Sequence, residues 1–107
     1  TDLTAEDLYL LGVDDSVIYR VRVLTREDSG GYKNYIKKIK KYAKINNDRI
    51  ILAVKIADLN DNLNVSRLKV LQSDDFSRLK KYMEARQSLL DTLNFLNSMY
   101  EKKMKRD

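Results

Sequence analysis

The chain has 107 residues, a net charge of +5 and 43% hydrophobic residues, which suits a single domain with a modest core. It contains no cysteine and no histidine, so its own residues cannot build a disulfide, a Cys/His zinc site or a Ser-His-Asp triad. No apolar run reaches the roughly 18 residues that a membrane span needs, and no signal peptide opens the chain, so we expect a cytoplasmic protein without membrane contact.

The absence of proline and the presence of only three glycines predict an all-α fold of about five helices over residues 1–107. The first helix is expected to begin with Thr4 as its N-cap and to end at Gly12. The second is expected to begin within residues 14–16 and to end within residues 25–29. Its apolar residues recur at helical spacing: Val17, Ile18, Val21 and Leu24. Because several of these are β-branched, a strand is the alternative here.

The third predicted helix begins at Gly31 and is amphipathic and basic. Its apolar stripe consists of Tyr32, Tyr35, Ile36, Ile39, Tyr42 and Ala43. Its lysines lie mostly off that stripe: Lys33, Lys37, Lys38, Lys40, Lys41 and Lys44. Lysines interleaved with tyrosines are also found in nucleic-acid and acidic-partner binding modules. Since the tyrosines share the apolar stripe, we expect them in the core, the lysines in solvent and no nucleic-acid partner.

The last two predicted helices carry most of the remaining apolar residues. Asn46–Asp48 is expected to cap a strongly apolar helix that ends within residues 60–64, and Ser73–Asp75 to cap a long final helix. The apolar side of the final helix consists of Phe76, Leu79, Tyr82, Met83, Leu89, Leu90, Leu93, Leu96 and Met99. This side serves either to close the core or to pair with another chain.

Asp58 is the unusual residue of the apolar helix, because seven of the eight residues before it are apolar. At 100° per residue, Ile51, Val54 and Asp58 fall within about 60° of one another, which predicts that Asp58 points into an apolar face. Lys55 and Asn62 share its sector. A buried carboxylate costs several kcal/mol unless something compensates it. The two interpretations are an ion pair, with Lys55 or with an arginine of another helix, and metal ligation.

Several short segments of the chain resemble the C-terminal two-thirds of the HD-domain metal-dependent phosphohydrolases, especially the small relatives of the hydrolase half of the RelA/SpoT alarmone enzymes. These segments are Leu24–Arg26, Tyr32, Tyr35–Ile36, Val54–Asp58, Asn62, Arg78, Lys81–Tyr82 and Leu89. The resemblance covers most of the chain from Asp2 to Leu90. It implies a helical bundle of HD-domain type.

The resemblance also implies roles for individual residues. Asp58 matches the last of four ligands to a divalent metal, manganese or a similar ion. Asn62 matches an asparagine near the nucleotide, and Lys55 a basic neighbour of the site, while Lys55 or Arg26 is expected to neutralise phosphate charge. The implied substrate is a nucleotide or a (p)ppGpp-like pyrophosphate.

The chain departs from the family pattern in one respect. The family needs an upstream histidine, a His-Asp pair and a Glu-Asp pair, and three of the four ligands are therefore missing here. We expect a single partial HD-type domain that lacks the N-terminal helices, binds no metal by itself and is inactive alone. The apolar surface on residues 50–59 that the missing helices would cover is then expected to be protected by self-association or to remain open to solvent. The alternative function is a non-catalytic helical interaction module, or a nucleic-acid-binding module that uses the basic helix of residues 33–44.

Overall fold

The computed structural model describes residues 5–26, 30–64 and 72–105, and the regular structure within these ranges is helical. The helices are α1 (Ala5–Leu10), α2 (Asp15–Leu24), α3 (Gly31–Asn46), α4 (Arg49–Asn62) and α5 (Ser73–Lys105). The predicted all-α class is confirmed, and the strand alternative for the second segment is wrong. The predicted cap Thr4 lies outside the described residues.

Local signals explain where the helices begin and end. Gly12 adopts a left-handed φ of +78° just after α1, where its N–H donates to the carbonyl of Tyr9 over 3.0 Å. Asp14 caps α2 by accepting from the Ser16 N–H at 2.9 Å. This segment forms a helix in spite of its β-branched residues, because Asp14 caps its first turn and the apolar spacing buries Ile18.

The core lies where α3, α4 and α5 pack together. The predicted stripe of α3 is confirmed, since Tyr35, Ile36, Ile39 and Ala43 are buried and Tyr32 and Tyr42 are half-buried. The largest fully buried side chains of the other two helices are Ile51, Leu52, Leu59 and Leu89. The lysines of α3 are exposed apart from the half-buried Lys40.

Side-chain contacts fix the directions of the packed helices. Arg49 donates to Asn97 Oδ1 at 3.0 Å and Arg86 donates to Asn60 Oδ1 at 2.9 Å, so α4 runs antiparallel to α5. Lys40 donates to Ser88 Oγ at 2.8 Å, and Tyr32, two turns earlier, contacts Tyr82, so α3 runs parallel to α5. The start of α3, the end of α4 and the first half of α5 therefore lie at the same end of the bundle.

Only one side of α4 is covered, although the helix is apolar nearly all round. Ile51, Leu52 and Leu59 face the core. The opposite side carries a continuous exposed apolar strip of Ile50, Ala53, Val54 and Ala57. Ile50 is 56% exposed and Val54 is 49% exposed, which is high for large apolar residues on one helix face.

The turn between α3 and α4 contains a buried carboxylate, that of Asp48, which is 8% exposed. Its Oδ1 accepts from the N–H groups of Ile50 at 3.1 Å and Ile51 at 3.2 Å, so Asp48 is the N-cap of α4. Its Oδ2 accepts from Arg20 Nε at 2.8 Å, which ties α2 to the same turn. The sequence predicted the cap but not the ion pair.

We expect Asp48→Ala to lower the free energy of unfolding by about 3 kcal/mol, because it removes a helix cap and leaves Arg20 without its carboxylate. Asp48→Asn retains an oxygen that can cap α4, so its loss should be smaller. Urea denaturation followed by circular dichroism measures both. The control is Asp14→Ala, an exposed cap with an expected loss of about 1 kcal/mol. Equal losses for Asp48→Ala and Asp14→Ala would contradict the central role of Asp48.

Candidate functional site

Lys55, Asp58 and Asn62 form a hydrogen-bonded group on the last two turns of α4. Lys55 Nζ donates to Asp58 Oδ2 at 2.8 Å. Asn62 Nδ2 donates to the Asp58 backbone carbonyl at 2.9 Å and lies 3.4 Å from its Oδ1. The predicted shared sector therefore exists, and of the two interpretations of Asp58, the ion pair with Lys55 is present in the structure.

The expected burial of Asp58 is wrong. Its side chain is 51% exposed, whereas that of Lys55 is only 13% exposed. Ile51 lies in nearly the same angular sector and is fully buried, but it is two turns nearer the start of α4. The side of α4 that carries Ile51 and Asp58 is therefore buried near the beginning of the helix and exposed to solvent near its end. The cation of this pair therefore lies inside and the carboxylate faces solvent.

Lys55 is held over an aromatic ring. Its Nζ lies 5.2 Å from the centre of the Tyr35 ring. Burial by itself would lower the pKa of Lys55, but the hydrogen bond to Asp58 and the nearby Tyr35 phenol more than offset this, and the pKa is raised above 10.5. Lys55 is therefore charged throughout the physiological pH range.

Two further cations lie around Tyr32, next to Tyr35. The Arg26 guanidinium carbon lies 5.3 Å from the centre of the Tyr32 ring, and Lys81 Nζ lies 4.8 Å from it. The ring centres of Tyr32 and Tyr35 are 5.8 Å apart. We call Arg26, Tyr32, Tyr35, Lys55 and Lys81 the tyrosine–cation cluster. Its three cations contact two neighbouring tyrosine rings, and one of them, Lys55, is paired with Asp58.

The Tyr32 hydroxyl is buried and has no hydrogen-bond partner among the described residues. Burial raises its pKa above 10.0, although the charge of Lys55 acts in the opposite direction. By contrast, the Tyr35 hydroxyl donates to the carbonyl of Leu24 at 2.5 Å, which satisfies an oxygen at the end of α2. The two neighbouring phenols thus have opposite hydrogen-bonding environments.

The structure brings three of the four predicted site residues together. Lys55, Asp58 and Asn62 are in direct contact, and Arg26 joins them through the aromatic rings. From the sequence, Tyr32 is expected only as a core residue and Lys81 has no expected role, although both stand in segments that carry the family resemblance. Their roles depend on the packing of α3 against α5, which periodicity does not specify.

Within the described ranges Asp58 has no cluster of metal-ligating side chains around it. In these ranges no group of three or more Asp, Glu, His or Cys side chains converges. Among the described residues the only cation bonded to Asp58 is the ammonium of Lys55, and one carboxylate is too few for a divalent transition metal. What the arrangement does offer is a cation-rich surface that can neutralise a phosphate group.

Comparison with models of known protein families finds none that matches the chain, and comparison with curated proteins finds no match either. Within the described part of the chain, no helix combines the length and the hydropathy needed to cross a membrane.

Removing the hydroxyl group from Tyr32 and from Tyr35 should have opposite effects on the free energy of unfolding. Tyr35→Phe should lower the free energy of unfolding by about 1 kcal/mol, because it removes a hydrogen bond and leaves the Leu24 carbonyl unpaired. Tyr32→Phe should raise it by up to about 1 kcal/mol, because it removes a buried hydroxyl without a partner. Urea denaturation of the two variants provides the comparison. A loss of similar size in both would show that the Tyr32 hydroxyl has a partner.

Stability should fall at alkaline pH. Lys55 and Tyr32 both have raised pKa values, so the folded protein holds these two protons to higher pH than the unfolded chain does. The resulting stabilisation is present below about pH 10 and is lost as the pH rises through the folded-state values.

Urea denaturation at a series of pH values from about 8 to about 11 measures this loss. Lys55→Arg should reduce it, since arginine stays protonated over the whole range. Lys37→Arg, at an exposed position on α3, is the matched control and should leave the pH profile unchanged. An identical alkaline loss in the Lys55→Arg protein would contradict the assignment to Lys55.

Proposed function

We propose that this chain is the C-terminal helical portion of an HD-type metal-dependent phosphohydrolase that acts on a nucleotide or a (p)ppGpp-like pyrophosphate. The observation that carries the proposal is the Asp58 carboxylate, which is half-exposed, held by Lys55 and Asn62 and adjacent to the tyrosine–cation cluster. A carboxylate that is both accessible and fixed by hydrogen bonds suits a metal ligand, because its orientation requires no further ordering.

The residues around Asp58 would divide the remaining tasks. Arg26, Lys55 and Lys81 supply positive charge for the phosphate groups of the substrate, and Arg26 is exposed, so that a ligand can reach it. Asn62 orients Asp58 through its amide and is the proposed contact to the nucleotide. Lys55 has the additional task of neutralising Asp58 in this chain.

Asp58 would be one ligand of a divalent metal such as manganese only with further ligands from another polypeptide segment. The exposed apolar strip of α4 supports the existence of such a segment. Val54 lies one turn before Asp58, and Ala57 is its immediate neighbour, so a helix packed on this strip would end up beside the carboxylate. In the absence of that segment the same strip offers a surface for self-association.

The test compares this chain with the whole product of its gene in a manganese-dependent phosphate-release assay on nucleotides and pyrophosphorylated nucleotides. We expect no hydrolysis by the 107-residue chain and hydrolysis by the whole product. Asp58→Asn should abolish the activity of the whole product while its circular dichroism spectrum is unchanged, because amide oxygen is a much weaker metal ligand than carboxylate.

Asp91→Asn is the matched control, since Asp91 is an exposed carboxylate on α5 that is hydrogen-bonded by Gln87. The hydrolytic activity of the whole gene product should be unaffected by Asp91→Asn. Undiminished hydrolysis by the Asp58→Asn protein would contradict the ligand assignment, and a whole gene product without any phosphohydrolase activity would contradict the proposed function.

A further inference from the structure

The first and last parts of the chain carry opposite charges. The first 19 residues contain five acids and neither lysine nor arginine, whereas the last six contain four bases and one acid. The overall charge of +5 conceals this separation. Opposite charges make two surfaces complementary to each other, and the described residues of both parts also include large exposed apolar side chains.

A cleft of about 450 Å³ lies between α1 and α2, and we call it the acidic cleft. Its charged lining residues are Glu6, Asp15 and Arg22. The other base of α2, Arg20, is paired with Asp48. The apolar residues that line the cleft are Tyr9, Leu10, Ile18 and Tyr19. Leu10 is 81% exposed, which leaves most of its apolar surface in water.

The last residues of α5 extend past the helix that covers it. Arg49, the first residue of α4, donates to Asn97, and its guanidinium carbon lies 4.4 Å from the centre of the Tyr100 ring. Because α4 begins at that level, α5 continues beyond it for about 7 Å, to Lys105. The lysines of this extension are Lys102, Lys103 and Lys105.

The core-facing side of α5 stays apolar along the extension. At 100° per residue, Met99 and Met104 lie within about 80° of the buried Leu96, yet both methionines are more than half exposed. These three residues line a depression of about 600 Å³, which also contains Lys44 and Lys103. We call this depression, together with the neighbouring Lys102 and Lys105, the basic end of α5.

Both surfaces lie at the end of the bundle where α3 turns into α4. Arg20 of α2 is bonded to Asp48 in that turn. Leu24, farther along α2, is bonded to Tyr35, which is more than three helical turns away from the turn. The first residues of α2, and α1 before them, therefore lie on the turn side. The basic end of α5 is at the same turn, since Asn47 also lines its depression, but no described residue of α1 or α2 does.

We propose that two copies of this chain associate through this end, with the acidic cleft of each copy holding the basic end of α5 of the other. Because both surfaces lie at the same end, one two-fold axis forms both contacts and closes the pair. The acids of the cleft lie opposite the lysines of α5, and Leu10 and Met104 cover apolar surface on both sides. The inference does not depend on the proposed phosphohydrolase function, because neither surface includes Asp58 or Asn62.

A second copy accounts for both surfaces, whereas other occupants account for only one. An anionic membrane or a nucleic acid would attract the lysines of the basic end but would repel the acids of the cleft, which lie at the same end of the molecule. An acidic partner protein would likewise leave the cleft uncovered. Only the second copy brings opposite charge and apolar surface to each of the two sites.

The first test is sedimentation equilibrium of the unaltered chain at concentrations up to about 1 mM. We expect a reversible equilibrium between monomer and dimer that weakens as the salt concentration rises, because the contact pairs opposite charges. This measurement needs no variant, so it does not depend on any substitution being tolerated. A chain that stays monomeric over the whole range would overturn the proposal.

Charge exchange then locates the contact. Glu6→Lys with Asp15→Lys makes the cleft basic, and Lys102→Glu with Lys103→Glu makes the end of α5 acidic. Each double variant alone should form a dimer at least about tenfold more weakly, because like charges face each other in both contacts. A mixture of the two variants should form a one-to-one complex at least about tenfold more tightly than either variant associates with itself, because the two-fold arrangement restores both contacts.

The control for charge is Lys33→Glu with Lys37→Glu, at exposed positions toward the other end of α3. It makes the same change of net charge as the α5 variant and should alter dimer formation by less than about twofold. Failure of the mixed charge variants to associate, with the circular dichroism spectrum of each unchanged, would overturn the proposal, and so would an equal loss in the control.

An apolar pair of variants distinguishes this contact from self-association through the exposed strip of α4. Leu10→Ser should weaken the dimer at least about fivefold without changing the circular dichroism spectrum, since Leu10 is exposed in the single chain. Val54→Ser is the matched control on α4 and should leave the dimer intact. Loss of the dimer in Val54→Ser but not in Leu10→Ser would place the interface on α4 and overturn the proposal.

Discussion

The buried carboxylate of Asp48 is the constraint on which the arrangement of the helices depends. Asp48 follows Asn47, which has a left-handed φ, and the Asp48 backbone N–H donates to the Ala43 carbonyl at 2.9 Å. Helix α3 therefore ends here, and α4 begins within two residues. One oxygen caps α4 and the other holds Arg20 of α2. This short turn reverses the chain and makes α3 antiparallel to α4. The start of α3 and the end of α4 therefore meet, which brings the tyrosine–cation cluster next to Asp58.

In the ion pair at the end of α4, the Lys55 side chain is largely buried and the Asp58 carboxylate is half-exposed. A half-buried lysine is tolerated here because its stem packs on the protein, its ammonium lies over the Tyr35 ring and its charge is balanced by Asp58. The aromatic contact depends on Tyr35, which is itself fixed by its hydrogen bond to Leu24 at the end of α2. The ammonium that pairs with Asp58 is thus in contact with α3 as well as with α4, whereas Asp58 itself is bonded within α4.

Much of the fold was predictable from the sequence, because caps and apolar spacing are local signals. The short segments that cap α2 and α4, residues 14–16 and 46–48, the apolar stripe of α3 and the end of α4 within residues 60–64 were all predicted. The environment of Asp58 was not, since a helical projection gives the angle of a side chain but not how far along the axis the neighbouring helices extend. The buried carboxylate expected at Asp58 is found at Asp48, whose partner Arg20 is 28 residues away in the sequence. Such a pairing depends on tertiary packing and has no signal in local spacing.

The tyrosine–cation cluster borders a depression of about 250 Å³ between α3 and α5, and the two surfaces share Tyr32 and Lys81. Lys81 lies over the Tyr32 ring on one side and lines the depression on the other, so a substitution of Lys81 changes the charge of both surfaces. Lys33 and Lys37 belong to the depression alone, whereas Arg26 and Lys55 belong to the cluster alone. Charges that lie within about a Debye length of one another interact, so the cations of each surface raise the positive potential at the other. The two surfaces are therefore coupled electrostatically even though the residues that form them are largely distinct.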